Sequence, residues 1–332
     1  MIKDIAERYP AAARVLDDAN RVLGFDLRDL MFNGPSDKLT QTAYAQPAIL
    51  VASAAILAVL KVRTLLFLHI RSCCLIHYAK QEEAGLDFAR DIDYAMGHSL
   101  GEYTAHYAAG SLPFEDAVRL VRKRGVSMEA SLPTTSRTSM VALIMRPNRL
   151  KDLSTHLAAI RAKLPAGEVV DLSNVNSSTQ AVLSGTYDAV ERACTQLQEA
   201  RIAARAVELP VSAPFHCRLM APAAATMGPH LRATKFAAPR VPVISNVTMR
   251  PVGSTDEGPA ELLVRQMTAT VQWLPSIEYC RTQGGVRDWL VVGPNRVLAN
   301  LIRKEYPTDR IVSVDTVEDV VSVVQSSHWQ RS

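Results

Sequence analysis

The chain has 332 residues, of which 48% are apolar and 21% charged, and its formal net charge is +4. That length supports one large domain or a large domain carrying a smaller one, and the composition excludes a disordered chain. The positive balance is mild and only Arg122, Lys123 and Arg124 stand together, so no nucleic-acid partner is expected.

The five cysteines, Cys73, Cys74, Cys194, Cys217 and Cys280, form no spaced framework and read as reduced intracellular thiols. The chain opens on an amphipathic pattern rather than a signal peptide. Its most apolar stretch, Ala48 to Ile76, is interrupted by Lys61, Arg63 and Arg71, which argues against a membrane span.

In chain order, Ile2 to Leu23 is expected as one helix stopped by Gly24, and Pro47 to Leu60 as a buried helix. Ile92 to Met96 reads as a buried strand ended by Gly97. Helices over Glu102 to Ala109 and Phe114 to Ala130 follow. The middle alternates: strand Ser139 to Met145, helix Leu150 to Leu164, strands Val169 to Asn176 and Gln180 to Ser184, helix Ala189 to Ala200, strand Ala204 to Leu209. That β-α-β-β-α-β order is the ferredoxin-like unit, placed at 137–206 as an insertion into a large α/β domain of residues 1–136 and 207–332. Strands are expected again at Pro242 to Asn246 and Trp289 to Val292, with a last helix at Arg296 to Arg303.

Gly97-His98-Ser99-Leu100-Gly101 has the G-x-S-x-G pattern, with a strand expected before it and a helix after it. Such a strand-to-helix turn projects a strained serine Oγ above a sheet, and the Leu100 N–H at the helix start faces a developing oxyanion. A serine needs a base, and His216 in the loop Pro214-Phe215-His216-Cys217 is the candidate. His98 reads as a packing residue, and His106, His156 and His230 as surface residues on helices.

These motifs resemble the malonyltransferase family of fatty-acid and polyketide synthesis. The likeness runs through Gly97-His98-Ser99-Leu100-Gly101-Glu102-Tyr103, Val121-Arg122-Lys123-Arg124-Gly125, Pro214-Phe215-His216-Cys217-Arg218-Leu219-Met220, Leu263-Val264-Arg265-Gln266 and Val291-Val292-Gly293-Pro294. It implies an α/β-hydrolase-like domain with an inserted ferredoxin-like one. It implies Ser99 as the acylated nucleophile, His216 as its base and Arg124 as the holder of the malonyl carboxylate. Leu100 becomes an oxyanion donor and Gln266 the residue whose carbonyl orients His216. A planar guanidinium suits a carboxylate through two hydrogen bonds. Phe215 beside His216 favours malonyl over methylmalonyl. The substrates implied are malonyl-CoA and acyl carrier protein, with no cofactor, and the chain is expected to be a monomer. The cellular site expected is the mitochondrion if the gene is eukaryotic and the cytoplasm otherwise. The G-x-S-x-G pattern is shared with serine thioesterases and hydrolases, and a non-catalytic carrier-binding paralogue is the third reading.

Two departures from the family stand out. The family opens with a strand and a Gly-Gln-Gly loop whose glutamine gives a second oxyanion donor. No such loop precedes Lys3, and Gln41 and Gln46 belong to a later segment. The segment Val62 to Lys80 is extra. Its 19 codons keep the reading frame, valine codons begin with GT and a lysine codon can end in AG, so it is read as a retained intron. On that reading the chain as written is weakly active. The segment holds His69, Cys73, Cys74 and His77, but adjacent cysteines make awkward ligands and no zinc site is assigned.

Overall fold

A computed structural model describes residues 1–66, 86–132, 137–211, 213–326 and 329, the side chains of 62–66 excepted. The four residues His69, Cys73, Cys74 and His77, and the part of Val62 to Lys80 beyond residue 66, lie outside the described residues.

The N-terminal region is two helices where one was expected. Lys3–Arg8 and Pro10–Leu23 are separated by Tyr9, which is extended at φ −120° and ψ 110°. The cause is Pro10, because the residue before a proline is pushed out of the helical region. Gly24 ends the second helix at φ 73°, a left-handed position that glycine adopts without strain.

The long helix Thr42–Leu66 begins a turn before the expected Pro47. Pro47 has no N–H for the Ala43 carbonyl, and Arg122 Nη1 donates to that carbonyl at 2.5 Å instead. By length and composition, its window Thr42–Lys61 is apolar enough to cross a membrane, with a mean hydropathy of 1.9. Lys61 lies at the end of this window, so charge is not what argues against a span here. The physical answer is burial: 78% of the window is buried inside the protein, and the helix is the spine of the main core. Against it pack Pro10–Leu23 and Phe114–Ala130, through Leu16, Val51, Ala55 and Val118.

The small sheet has the expected topology. Thr138–Met145, Val170–Ser177, Gln180–Thr186 and Ala203–Glu208 form four antiparallel strands with the first and third in the centre. Helices Leu150–Arg161 and Tyr187–Glu199 cover one face with a core of their own, around Leu143, Leu153, Val190 and Leu197. The sheet's edge is tied to the large part by a parallel bridge, Val175 N–H to Val271 O (3.0 Å) and Val271 N–H to Ser173 O (2.8 Å).

The large part is α/β, but the expected strand at Ile92 to Met96 reduces to one bridge, Ala95 to Val243. Pro242 to Asn246 likewise contributes bridges only, at Val243 and Ile244. Asp288–Val292 is a full strand, parallel to Arg310–Val314. A cavity of about 670 Å³ is walled by residues 92–96 and Asp288–Val292, with Tyr94, Met96, Leu290, Val292, Trp273 and Ser99 on its lining. Residues 92–96 and 242–246 meet only through Ala95, whose N–H donates to the Pro242 carbonyl at 2.9 Å and whose carbonyl accepts the Ile244 N–H at 2.9 Å.

Gly125 lets helix Phe114–Ala130 lie close against the start of helix Thr42–Leu66. A Cβ there would lie 2.6 Å from the Thr42 carbonyl oxygen and 2.7 Å from the Ala43 Cα, both backbone atoms. Gly125→Ala is therefore expected to destabilise the protein by about 1–3 kcal/mol, the usual cost of overpacking. Urea unfolding measures it, and an unchanged midpoint contradicts this packing.

Candidate active site

The elbow is built by Gly97 and Ser99. Ser99 has φ 54°, a left-handed backbone uncommon for a residue with a side chain. A Cβ on Gly97 would meet the Gly101 carbonyl carbon at 2.1 Å, so the turn closes only on glycine. Gly101 itself has open space where a Cβ would stand, so of the two glycines Gly97 is the sterically required one. Helix Gly101–Ala108 starts directly after the elbow, and the Leu100 N–H belongs to the first turn, whose amides have no acceptor within the helix.

The distant His216 is brought to the nucleophile. Ser99 Oγ lies 2.7 Å from His216 Nε2, and His216 Nδ1 lies 2.9 Å from the Gln266 carbonyl oxygen. A carbonyl only accepts, so Nδ1 carries the proton and Nε2 is the free acceptor for the serine hydroxyl. His216 also has a positive φ, 56°. The small sheet holds this loop: Ser173 and Ser184 Oγ both donate to the Phe215 carbonyl, at 3.0 and 2.6 Å. Phe215 is half-buried against Met140, Ala142 and Val182 of the same sheet.

Arg124 is not a solvated helix residue. It is 2% exposed, and Nη2 donates to Ser99 Oγ at 3.0 Å and to Gln266 Oε1 at 3.1 Å. Nη1 donates to Gln46 Oε1 at 2.8 Å, while Nε has no partner. Every partner is a neutral oxygen, and among the described residues no carboxylate lies within ion-pair distance. Of the six residues singled out from the sequence, Ser99, Arg124, His216 and Gln266 are joined by hydrogen bonds around one hydroxyl, while Leu100 and Phe215 are the chain neighbours of Ser99 and His216.

Four others belong here that the sequence reading did not name as site residues. Gln46, set aside as part of a later segment, is buried on Arg124. It was legible as a lone amide in an otherwise apolar helix. Asn246 clamps the elbow: Oδ1 accepts the Ser99 N–H at 2.7 Å and Nδ2 donates to the Gly97 carbonyl at 2.8 Å. Glu102 is fully buried and accepts from Gln266 Nε2 at 2.6 Å and from the Asn246 N–H at 3.1 Å. His98 reaches the small sheet, Nε2 to Asn176 Oδ1 at 3.0 Å, with its ring against Trp273. His106 is a correction: expected on the surface, it is 1% exposed, bonded to Ser111 and packed on Phe236. The helix on which it lies is a core helix whose buried face includes position 106. Among the described residues no group of three or more His, Cys, Asp or Glu is placed to hold a metal.

Residues 90–286 match the model of the acyl transferase domain. Over 304 residues the chain is 37% identical to the malonyl CoA-acyl carrier protein transacylase of Escherichia coli K12, covering 92% of this chain and 87% of that one. The chain belongs to this transacylase family. The acyl-carrier-protein S-malonyltransferase of Bartonella henselae superposes with a TM-score of 0.82 at 33% identity, over 98% of this chain and 94% of that one. A malonyl-transacylase solved in complex with a type II PKS acyl-carrier protein gives 0.78 at 31% identity, over 98% and 94% of the two chains. The fold is the family's: an α/β-hydrolase-like core with a small ferredoxin-like unit.

Burial governs the electrostatics of the transacylase site. Desolvation, with the Arg124 charge adding to it, lowers His216 to about 3. Its imidazole is thus neutral over the physiological range and available as a base. The unfolded chain takes up that proton near the ordinary value of 6.5, so this group's contribution to stability is complete above 6.5 and declines as pH falls toward 3. An NMR titration of the His216 ring is expected to find it neutral at pH 5, with Nδ1 protonated. An inflection near 6.5 contradicts the burial argument.

Proposed function

We propose that this chain moves a malonyl group from malonyl-CoA to the phosphopantetheine thiol of an acyl carrier protein, for fatty-acid synthesis. The observation that carries this reading is Arg124, a buried guanidinium 3.0 Å from Ser99 Oγ with no carboxylate partner of its own. Buried charges are paired, and the substrate's free carboxylate is the group that pairs this one.

In the first half-reaction His216 Nε2 takes the Ser99 proton as Oγ attacks the thioester carbonyl. The Leu100 N–H stabilises the oxyanion, the C–S bond breaks, and the proton passes from His216 to the leaving CoA sulfur. In the second, His216 takes the proton of the carrier thiol. Its sulfur attacks the malonyl ester, the bond to Oγ breaks, and Ser99 recovers a proton from His216. Gln266 orients the imidazole through its carbonyl, as a carboxylate does in other serine enzymes. Phe215 is the specificity residue in this reading, because its ring beside His216 fills the space an α-methyl branch would need.

A thioesterase shares the elbow, but its acyl-enzyme goes to water and needs no guanidinium at the serine. A non-catalytic carrier-binding paralogue needs neither the Ser99–His216 bond nor Arg124. The named relatives are bacterial and lend the mitochondrial expectation no support. We read the cytoplasm as the place of action, and 137–206 as the inserted domain that supplies the wall behind Phe215.

Malonyl-CoA is expected to leave one malonyl group on the protein by intact mass, and Ser99→Ala to leave none. Stoichiometric labelling of that variant would falsify the assignment. Arg124→Ala is expected to cost malonyl transfer about 2–5 kcal/mol in kcat/KM while sparing acetyl transfer. Equal losses for both thioesters place Arg124 in the fold rather than on the carboxylate.

A further inference from the structure

We propose that Glu102 is the positioning residue of this site: its carboxylate, bonded to the Asn246 backbone and the Gln266 side chain, holds the Ser99 elbow and the His216 ring in one fixed relation. The proposal rests on the reading of Ser99 and His216 given above.

Two arms leave this carboxylate. In the first, Glu102 Oε2 accepts the Asn246 N–H at 3.1 Å, and the Asn246 side chain spans the elbow from the Gly97 carbonyl to the Ser99 N–H. In the second, Oε2 accepts Gln266 Nε2 at 2.6 Å. That nitrogen also donates to the Ser99 carbonyl at 3.0 Å, and the Gln266 backbone carbonyl holds His216 Nδ1. Gln266 Oε1 accepts from Arg124, so the carboxylate, the elbow and the guanidinium share one side-chain amide, and the base is held by the backbone of the same residue. Glu102 touches no reacting atom. It is three residues past the nucleophile on the helix that the elbow starts, and it faces inward from there.

The charge matters to this arrangement. One oxygen of Glu102 receives both bonds while Oε1 has no partner. Either oxygen of an ionised carboxylate is a stronger acceptor than those of a neutral carboxyl, so protonation weakens both bonds at Oε2. The charged and titratable groups facing it are Arg124, from helix Phe114–Ala130, and its own neighbour Tyr103, with Ser245 and Asn246 supplying neutral contacts. Desolvation outweighs these and pushes Glu102 up to about 7. Its ionised form is the one that holds both arms, so activity is gained as pH rises through that value and lost as pH falls through it. His216, held far lower, does not titrate in that interval.

The test uses the full chain, malonyl-CoA and holo acyl carrier protein. Glu102→Gln keeps the shape and removes the ionisation. The expected result is a kcat lower on the order of tenfold at about pH 8, with KM little changed, for a hydrogen bond stripped of its charge. Wild-type kcat is expected to fall between about pH 8 and 6, and the Glu102→Gln profile to be flat there. Glu102→Asp keeps the charge but withdraws it by a methylene, so a lowered kcat that still falls with pH is expected. Thermal melts separate loss of fold from loss of positioning. A Glu102→Gln enzyme with wild-type kcat, or one that keeps the wild-type pH limb, overturns the proposal. A flat wild-type profile overturns it even where Glu102→Gln does not fold. Malonyl labelling of Ser99→Ala tests the underlying reading separately, since it reports on the nucleophile and not on Glu102.

Discussion

Ser99 must hold a left-handed backbone, and the rest of the site is arranged around keeping it there. A side-chain-bearing residue in that region carries strain of order 1–3 kcal/mol. Three contacts offset it: Asn246 takes the Ser99 N–H, Gln266 takes the Ser99 carbonyl, and the glycine at 97 lets the chain close on Gly101. In this conformation Oγ meets His216 Nε2 and Arg124, which both reach it within 3.0 Å.

Placing a guanidinium beside that hydroxyl has an electrostatic consequence. Arg124 repels a proton on His216, and burial acts in the same direction, so the base stays neutral without a carboxylate partner. The carbonyl of Gln266 orients the ring at no cost in charge. Were an Asp in that position, it would offset Arg124 and raise His216. The neutral orienting group thus leaves Arg124's charge for the substrate.

The two structural units divide the labour. The α/β part supplies the elbow, the guanidinium and the amides. The antiparallel sheet supplies Ser173 and Ser184, which fix the Phe215 carbonyl, and Asn176, which holds His98 beside the nucleophile. His216 therefore depends on a loop whose preceding residue is gripped by the small sheet and whose ring is held by a helix end of the large part.

The sequence by itself determined the local pieces. The small unit's β-α-β-β-α-β order, the glycine-flanked Ser99, the helix Phe114–Ala130 and the turn before His216 all follow from periodicity and turn chemistry, which act over a few residues. Ser99, Leu100 and His216 were named from the elbow pattern and its need for a base, whereas Arg124, Gln266 and Phe215 took their roles from the resemblance to a family. Only tertiary structure decided which polar residues are buried. Gln46, Glu102, His106 and Asn246 sit on helices or loops where a polar side chain ordinarily faces water. Each has at least one partner inside, 5 to 164 positions away. The strand at Ile92 to Met96 failed for the same reason: a strand needs neighbours along its whole edge, and pairing is a property of the packed chain. The missed break at Tyr9 is different, since Pro10 announced it in the sequence, and local sterics alone were enough to make it.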